Sequence, residues 1–315
     1  SYPGRMYLDA DHSGVVADTY CVSACSYEGT NCRACSTLPV NWVNLCGDGQ
    51  RAGSEVCMID RGERPLKGFD ADLVERLVAR GEEVGVQLRR RTSLKSIKKD
   101  GTDFLVTVET GSETKDLRAD LVVQGAGRVA AIDQLDLAAA NVEAGDKGVA
   151  VNAYLQSTSN PKIYAAGDAA DTQGAPLTPV AVFEGKVAAS NMLMGNGTKP
   201  DYSGVPSAVF TVPELARVGM LEEEAREAGH DIRVVENDTG DWYSNLRVGE
   251  SCAATKVIID KDSDTILGAH LLGPEYGEII NFFGLAIRLG LTTSDLKKMV
   301  SVYPSVGSDL GSMLS

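Results

Sequence analysis

The sequence predicts an α/β chain that ends in an α+β module. Three observations carry this. From Arg51 onward, short apolar strands alternate with an amphipathic helix, the pattern of a layered domain built on a parallel sheet. Near Lys199-Pro200 the pattern shifts to hairpins followed by helices. The chain's 315 residues, 43% of them apolar, suffice for two domains and a third small one, with real cores.

The boundaries follow from these shifts. Residues 1–50 show no sustained period of 2 or 3.6 and support no element. They hold four of the seven cysteines, Cys21, Cys25, Cys32 and Cys35, spaced C-x3-C-x6-C-x2-C. As thiolates these would ligate zinc or a softer metal. Idle thiols in a poorly ordered arm are the competing reading, since the spacing is not that of a knuckle pair. Residues 51–125 form the first regular block. "SEVCMID" reads as a buried strand, and "DADLVERLVARGEEVG" as a helix with Leu73, Val74, Leu77 and Val78 on one face. Asp70 is its predicted N-cap. "VQLRRRT", "SLKSIKKDG", "DFLVTVET" and "ETKDLRAD" alternate as strands and turns, and "ADLVVQGAGR" is a buried strand ending in glycines. Residues 126–199 form a second block and residues 200–315 a third. In the third, "SAVFTVPELARVGM" reads as a strand pair around Pro213, and "LEEEAREAGH" as a helix. "ATKVIIDKDSDTILGAHLLG" is a hairpin turning at Asp260 to Asp264. Two more helices follow, the second capped by Thr293 or Ser294.

Charge excludes several function classes. The formal net charge of -14 argues against nucleic acid or an anionic membrane as partner. The run "EIINFFGLAIRLGL" is broken by Asn281 and Arg288 and is too short to span a bilayer. No secretion signal opens the chain, so cytoplasm is the expected location.

The stretch "NPKIYAAGDAADTQGAPLTPVAVFEGKVAAS" carries the chemistry. An apolar strand over Lys162 to Ala166 is predicted to end at Gly167-Asp168. A helix then opens at Leu177-Thr178-Pro179, with proline in its first turn. A carboxylate at a strand tip accepts hydrogen bonds from polyol hydroxyls, and Gly167 lets a ligand approach the backbone. A helix N-terminus carries about half a positive charge and stabilises negative charge on a reduced ring system. The pattern therefore reads as a flavin site. A plain βα crossover whose aspartate caps a turn is the alternative.

"IYAAGDAAD" followed by "PLTPVAVFEGKVAASNML" resembles the second FAD-binding motif of the class I pyridine nucleotide-disulfide oxidoreductases, the family of glutathione reductase, dihydrolipoamide dehydrogenase and mercuric reductase. Three more stretches match in the family's order. "AGSEVCMIDRGERPLKGFDADLVERL" resembles an NAD(P)-domain strand and helix, and "ADLVVQGAGRVAAIDQLDL" the strand ending in Gly-Arg. "PSAVFTVPELARVGM" through "SVYPSVGSDLGSML" resembles the interface domain. The resemblance implies partial Rossmann-like NAD(P) and FAD domains plus a dimerisation domain, in an N-terminally truncated member. It implies Asp168 on the FAD ribityl chain, with Gly167 beside it. Leu177, Thr178, Pro179 and Ala181 would lie at the flavin's pyrimidine edge, and Gly127 and Arg128 beside the nicotinamide. Asp60 falls where NADH-using relatives hold the adenosine ribose. Arg61 and Lys67 fall where NADPH-using ones hold the 2′-phosphate, and the balance leans to NADPH.

Four departures stand against the matches. No first GxGxxG or redox dithiol of the family's N-terminal half is present. The NAD fingerprint is absent too: its glycines would fall at Thr37, Leu38 and Pro39, and "GDGQRA" at Gly47 to Ala52 lies too close to the next strand to hold a helix between. The family's His-Pro-Thr-x-x-Glu becomes Tyr303-Pro304-Ser305-Val306-Gly307-Ser308. Tyrosine, with an ordinary pKa of about 10, is a poor base at neutral pH. Tyr303, Ser308 and the adjacent Asp309 stand in place of the family's catalytic residues and are the candidates here; the Tyr-Pro ending resembles a subgroup of mercuric-reductase-like proteins, which implies metal ions or quinones as acceptors. The early cysteine cluster has no counterpart. Two functions follow: an FAD-dependent NAD(P)H oxidoreductase, homodimeric through its C-terminal domain and passing electrons to a small-molecule or metal-ion acceptor, or an inactive truncated homologue that binds a partner or a metal.

Overall fold

The computed structural model describes residues 19–23, 33–35, 53–125 and 129–315. The chain divides into two compact units, Ser1–Leu66 with Val78–Gly127, and Lys67–Leu77 with Arg128–Ser315.

The first unit holds two sheets. One is five-stranded in the order β4-β3-β2-β1-β8: β1 Thr19–Ser23, β2 Arg33–Cys35, β3 Glu55–Asp60, β4 Val86–Arg89 and β8 Val122–Gln124. The "SEVCMID" strand lies inside it, and the apolar middle of that strand, Val56 to Ile59, suits burial on both faces. The sheet is mixed rather than parallel. β3 runs parallel to β2 and β4, but antiparallel to β1. Strands β1 and β2 arise in a stretch where periodicity supported no element, because each is too short to establish a pattern of its own. β5 Thr92–Asp100, β6 Asp103–Thr110 and β7 Glu113–Ala119 form an antiparallel meander. Val56 and Ile59 of β3 share a core with Val106 and Val108 of β6 and with Ala119.

In the second unit, Asp70 caps helix α1 (Ala71–Glu83) as its position predicts. Its Oδ1 accepts from the backbone N–H of Asp72 and Leu73, both at 3.1 Å. A small sheet follows, in the order β11-β10-β9: β9 Ala144–Gly145, β10 Gly148–Ala150 and β11 Ala170–Asp171. The strand expected over Lys162–Ala166 does not form. That stretch makes only an isolated bridge, Gln156 to Tyr164, because an apolar run becomes a strand only where a neighbouring strand supplies ladder partners. Helix α2 (Thr178–Met194) packs Val187 and Ala188 on Leu155.

The C-terminal part is a five-stranded antiparallel sheet in the order β12-β13-β16-β15-β14. Its strands are β12 Ser207–Val209, β13 Glu214–Gly219, β14 Ile232–Asp238, β15 Ala254–Asp260 and β16 Ile266–Gly273. The strand pair around Pro213 and the Asp260–Asp264 hairpin are both present. Short helices α3 (Glu222–Glu227) and α4 (Tyr243–Leu246) join the strands. Helix α5 (Tyr276–Leu289) seats Tyr276, Ile280 and Phe283 on the sheet, all fully buried. Helix α6 (Thr293–Leu296) is capped by Thr292, one residue before the expected cap, because its hydroxyl accepts from Asp295 while the Asp295 carboxylate returns to Thr292. Helix α7 (Leu310–Met313) closes the chain. His270 is buried on β16 against the Met220 carbonyl at 2.9 Å, a structural role as its strand position implies. Among the described residues no helix is long and apolar enough to cross a membrane.

One ion cluster ties α1 to this sheet. The Lys256 ammonium, its side chain 6% exposed, meets Asp72 at 2.6 Å, Asp70 at 3.1 Å and Glu236 at 3.2 Å. Burial pulls its pKa down, but hydrogen bonds to Asp72 and Asp70 outweigh burial and hold it above the ordinary lysine value. Lys256→Met strands the Asp70 carboxylate, which is itself buried. The expected loss is about 3 kcal/mol in urea denaturation. Asp70→Asn added to that variant should recover part of the loss; a purely additive double variant would show that the two groups are not coupled.

Candidate functional site

The loop after Ala166 is shaped by two glycines pressed onto helix α2. Residues Gly167–Ala169 make a single 3-10 turn, with Gly167 at φ +64°. A Cβ on Gly167 would lie 2.8 Å from the Ala181 Cβ, so only glycine admits this approach to the helix's first turns. A Cβ on Gly174 would lie 2.6 Å from Glu184 Oε1 and 2.8 Å from both Val180 Cγ1 and Tyr202 Cε1. The loop that carries Asp168 thus packs directly on the opening turns of α2 through its glycines.

Two further features single this loop out as a candidate site. Helix α2 starts without a side-chain cap: Leu177 is the N-cap residue and has no acceptor, Pro179 stands in the first turn, and the first turn holds no acid. Its positive end is therefore unanswered by the protein. Asp168 is exposed, and its carboxylate takes no hydrogen bond from a described residue. A cradle that admits only glycine, an uncommitted carboxylate and an open helix N-terminus together fit the polyol and ring end of a flavin.

Glu184 holds the loop, and residue-by-residue reading overlooked it. It is fully buried in α2. Its Oε2 accepts the Gly167 N–H at 2.6 Å, and its Oε1 accepts the Thr172 hydroxyl at 2.8 Å and the Tyr202 hydroxyl at 2.6 Å. Thr172 in turn accepts the Gly174 N–H at 3.1 Å. Burial first, and then the Glu184 carboxylate, push the Tyr202 phenol up to about 12. The signal was present in the spacing. Glu184 shares a helix face with Val180, Val187, Ala188 and Asn191, all buried, so it belongs to an inward stripe and not to a wet face.

The remaining predicted residues fall out as follows. Asp60 ends β3, 5% exposed, and its Oδ1 accepts the Gly62 N–H at 2.5 Å. Arg61 is exposed in the first unit, and Lys67 is exposed in the second. Gly127 and Arg128 lie outside the described residues, as do Cys25, Cys32 and the Gly47–Ala52 string. Of Cys21 and Cys35 only the strand backbone is described. Among the described residues no group of three or more His, Cys, Asp or Glu side chains is placed to hold a metal ion.

Tyr303, Ser308 and Asp309 do come together. With Tyr243, Ser244, Arg247, Pro304 and Ser305 they line a recess of about 20 Å³, room for one water molecule. Tyr303 is 77% exposed. The Ser308 hydroxyl donates to the Ser305 carbonyl, and the Ser244 hydroxyl donates to Asp309 Oδ2, each at 2.5 Å.

The packing generates a graded expectation. Gly167→Ala and Gly174→Ala should each cost about 1–3 kcal/mol in urea denaturation, the scale of backbone strain and forced contacts. Asp168→Ala should stay within about 0.5 kcal/mol of the parent, as an exposed substitution does. A large loss at Asp168 would show that its carboxylate is structural.

Comparison with known proteins places this geometry. The pyridine nucleotide-disulphide oxidoreductase family matches residues 43–185, and its dimerisation domain matches residues 205–313. The chain is 52% identical over 180 residues to an uncharacterized 19.7 kDa protein in the mercuric resistance operon of Staphylococcus aureus, covering 57% of this chain and 100% of that one. It is 32% identical over 259 residues to mercuric reductase of Bacillus cereus, covering 82% of this chain and 41% of the relative. It is 30% identical to dihydrolipoyl dehydrogenase of Bacillus subtilis, covering 81% of this chain and 54% of the relative. The chain thus spans about half the length of these two enzymes. The Cu(II) complex of the HOCl-induced flavoprotein disulfide reductase RclA from Escherichia coli superposes with a TM-score of 0.79 at 25% identity, over 89% of this chain and 63% of that one. With both family matches in sequence order and the Gly167–Asp168 loop seated on an open helix start, the chain belongs to the class I pyridine nucleotide-disulfide oxidoreductases.

Proposed function

We propose that the chain is an FAD-dependent NAD(P)H oxidoreductase that works as a homodimer and delivers electrons to a small molecule or a metal ion. The observation that carries this reading is the uncommitted Asp168 carboxylate on a loop that only glycine allows against α2. Asp168 would accept hydrogen bonds from the ribityl hydroxyls. The backbone at Leu177, Thr178 and Pro179 would face the ring's pyrimidine edge, with Ala181 backing Gly167. The chemistry that a bound FAD supplies is electron uptake from a reduced nicotinamide coenzyme and transfer onward to the acceptor. The chain's own part is to hold the polyol, to set a positive helix end near the ring, and to hold the loop still through Glu184.

For the coenzyme, NADPH is favoured over NADH. Asp60 is buried and holds the turn at Gly62, which leaves it poorly disposed to grip a ribose. Arg61, exposed beside it, suits a 2′-phosphate. The resemblance of Tyr303 to a subgroup of mercuric-reductase-like proteins favours a metal ion or a quinone as acceptor over a disulfide.

The homodimer rests on an unpartnered apolar surface in the C-terminal module. On α5, Phe282, Leu285 and Leu289 are 39%, 53% and 61% exposed, and Val300 and Val302 beyond it are 97% and 80% exposed. A second reading, an inactive homologue, draws on the Tyr303 recess, where Ser308 and Asp309 are both tied to neighbours within the chain.

The two readings part on simple measurements. The purified chain reconstituted with FAD should show flavin absorption and oxidise NADPH; a protein that stays colourless with added FAD would rule the first reading out. Asp168→Ala should weaken FAD binding roughly 10- to 100-fold, one charge-assisted contact. Leu285→Arg should convert a dimer to a monomer in sedimentation velocity, and an unchanged mass would move the interface elsewhere.

A further inference from the structure

We infer that Glu184 and Tyr202 are positioning residues for the Asp168 loop: a buried carboxylate and a phenol that together fix the backbone from which the ligand-binding carboxylate projects. The inference rests on the flavin reading of Asp168 and goes beyond it by naming what sets the loop's geometry.

The middle of the stretch is held by backbone pairing, Ala170–Asp171 as β11 against β10, but the residues on either side of it are not. Gly167 sits at positive φ, which glycine adopts freely and therefore does not by itself hold. No side-chain cap fixes the 3-10 turn at Gly167–Ala169. The Glu184 carboxylate restrains both flanks of β11 by gathering three donors from three points of the chain: the Gly167 N–H, the Thr172 hydroxyl and the Tyr202 hydroxyl. These grip the loop at its start and its middle and join both to the segment that leads into the C-terminal module. That segment is anchored in turn, since Arg288 of α5 donates to the carbonyls of Asp201 at 3.0 Å and Ser203 at 2.8 Å. A Cβ on Gly204 would lie 2.3 Å from the Gly284 carbonyl oxygen, so the segment lies directly on α5. Helix α5 is the helix whose outer face is apolar and exposed. The carboxylate that would touch the cofactor is thus tied to the dimerisation module through side chains of one unit.

Removing the carboxylate should free the loop without unfolding the sheet. Glutamine at 184 keeps one carbonyl oxygen for the Gly167 N–H and presents an amide to two hydroxyls that can turn to accept it. It is therefore the rescuing substitution, and alanine the disabling one. Tyr202→Phe removes one donor at little change in shape and tests the same restraint in a protein whose fold is not in question.

The experiment measures two quantities on the full chain: hydrogen exchange of residues 167–174 by mass spectrometry without ligand, and FAD affinity from flavin absorbance. Glu184→Ala should speed exchange of the loop about tenfold and weaken FAD binding by about the same factor. Exchange in the strand 254–260 should stay unchanged in that variant. Tyr202→Phe should move both in the same direction by a smaller factor, and Glu184→Gln should remain close to the parent. Loop exchange unchanged in Glu184→Ala and Tyr202→Phe overturns the positioning role. So does faster loop exchange with unaltered FAD affinity, and in both cases the flavin reading survives. A parent protein that binds no FAD overturns the flavin reading, and with it the claim that Glu184 positions a cofactor-binding loop.

Discussion

A carboxylate sealed from water must find its hydrogen bonds inside the protein or destabilise whatever encloses it. Glu184 is in that position, and its three donors come from Gly167, Thr172 and Tyr202. The loop cannot retreat from α2 without leaving the carboxylate short of partners. Nor can α2 rotate without driving Val180 and Ala181 into positions that Gly174 and Gly167 have vacated by lacking side chains. One buried acid therefore explains several features that look separate in the sequence: two glycines in the loop, a threonine between them, and a tyrosine thirty residues farther on.

The C-terminal module solves a different problem. Its sheet is antiparallel throughout, and one face is covered by α5, with Phe283, Ile280 and Tyr276 fully buried. The Lys256 cluster binds the first turn of α1 to that sheet through Asp70. Asp70 therefore performs two tasks with one carboxylate. Its Oδ1 caps the helix and its Oδ2 pairs with Lys256. Hydrophobic packing supplies cohesion, and the ion cluster gives the buried Lys256 ammonium its partners.

Much of this was legible in the residues, and the failures have physical causes. Local signals were read correctly: Asp70 as a cap, the turn at Asp260 to Asp264, the strand pair around Pro213. Each depends on chemistry within a few residues. The strand over Lys162–Ala166 was expected and is absent, because ladder hydrogen bonds depend on neighbours that lie elsewhere in the chain. The cap of α6 was placed one residue late, as two adjacent threonines offer the same hydroxyl. At the site, the loop at Gly167 does lie against Ala181 in the opening turn of α2. Glu184 was overlooked because an acid amid alanine and valine suggests a wet face. Its spacing from Val180, Val187, Ala188 and Asn191 puts it on the inward stripe instead, and that spacing is readable.

The two ends of the candidate machinery treat their polar groups differently. Around Asp168, the surrounding donors are drawn inward to Glu184, and the aspartate is left open with a positive helix end nearby. Around Tyr303 the reverse holds. Asp309 already accepts from Ser244, the Ser308 hydroxyl is turned to its own backbone, and Tyr303 stands in solvent beside a recess that admits a single water molecule. A group poised to move a proton needs a partner that orients it. Here those partners are committed to holding α7 and α4 in place. A cofactor-gripping end can keep its value in a protein whose acceptor chemistry has changed, because binding a polyol asks only for an unpaired carboxylate on a rigid loop. Acid–base chemistry on a leaving thiol asks for a matched pair, and residues 303–309 do not form one.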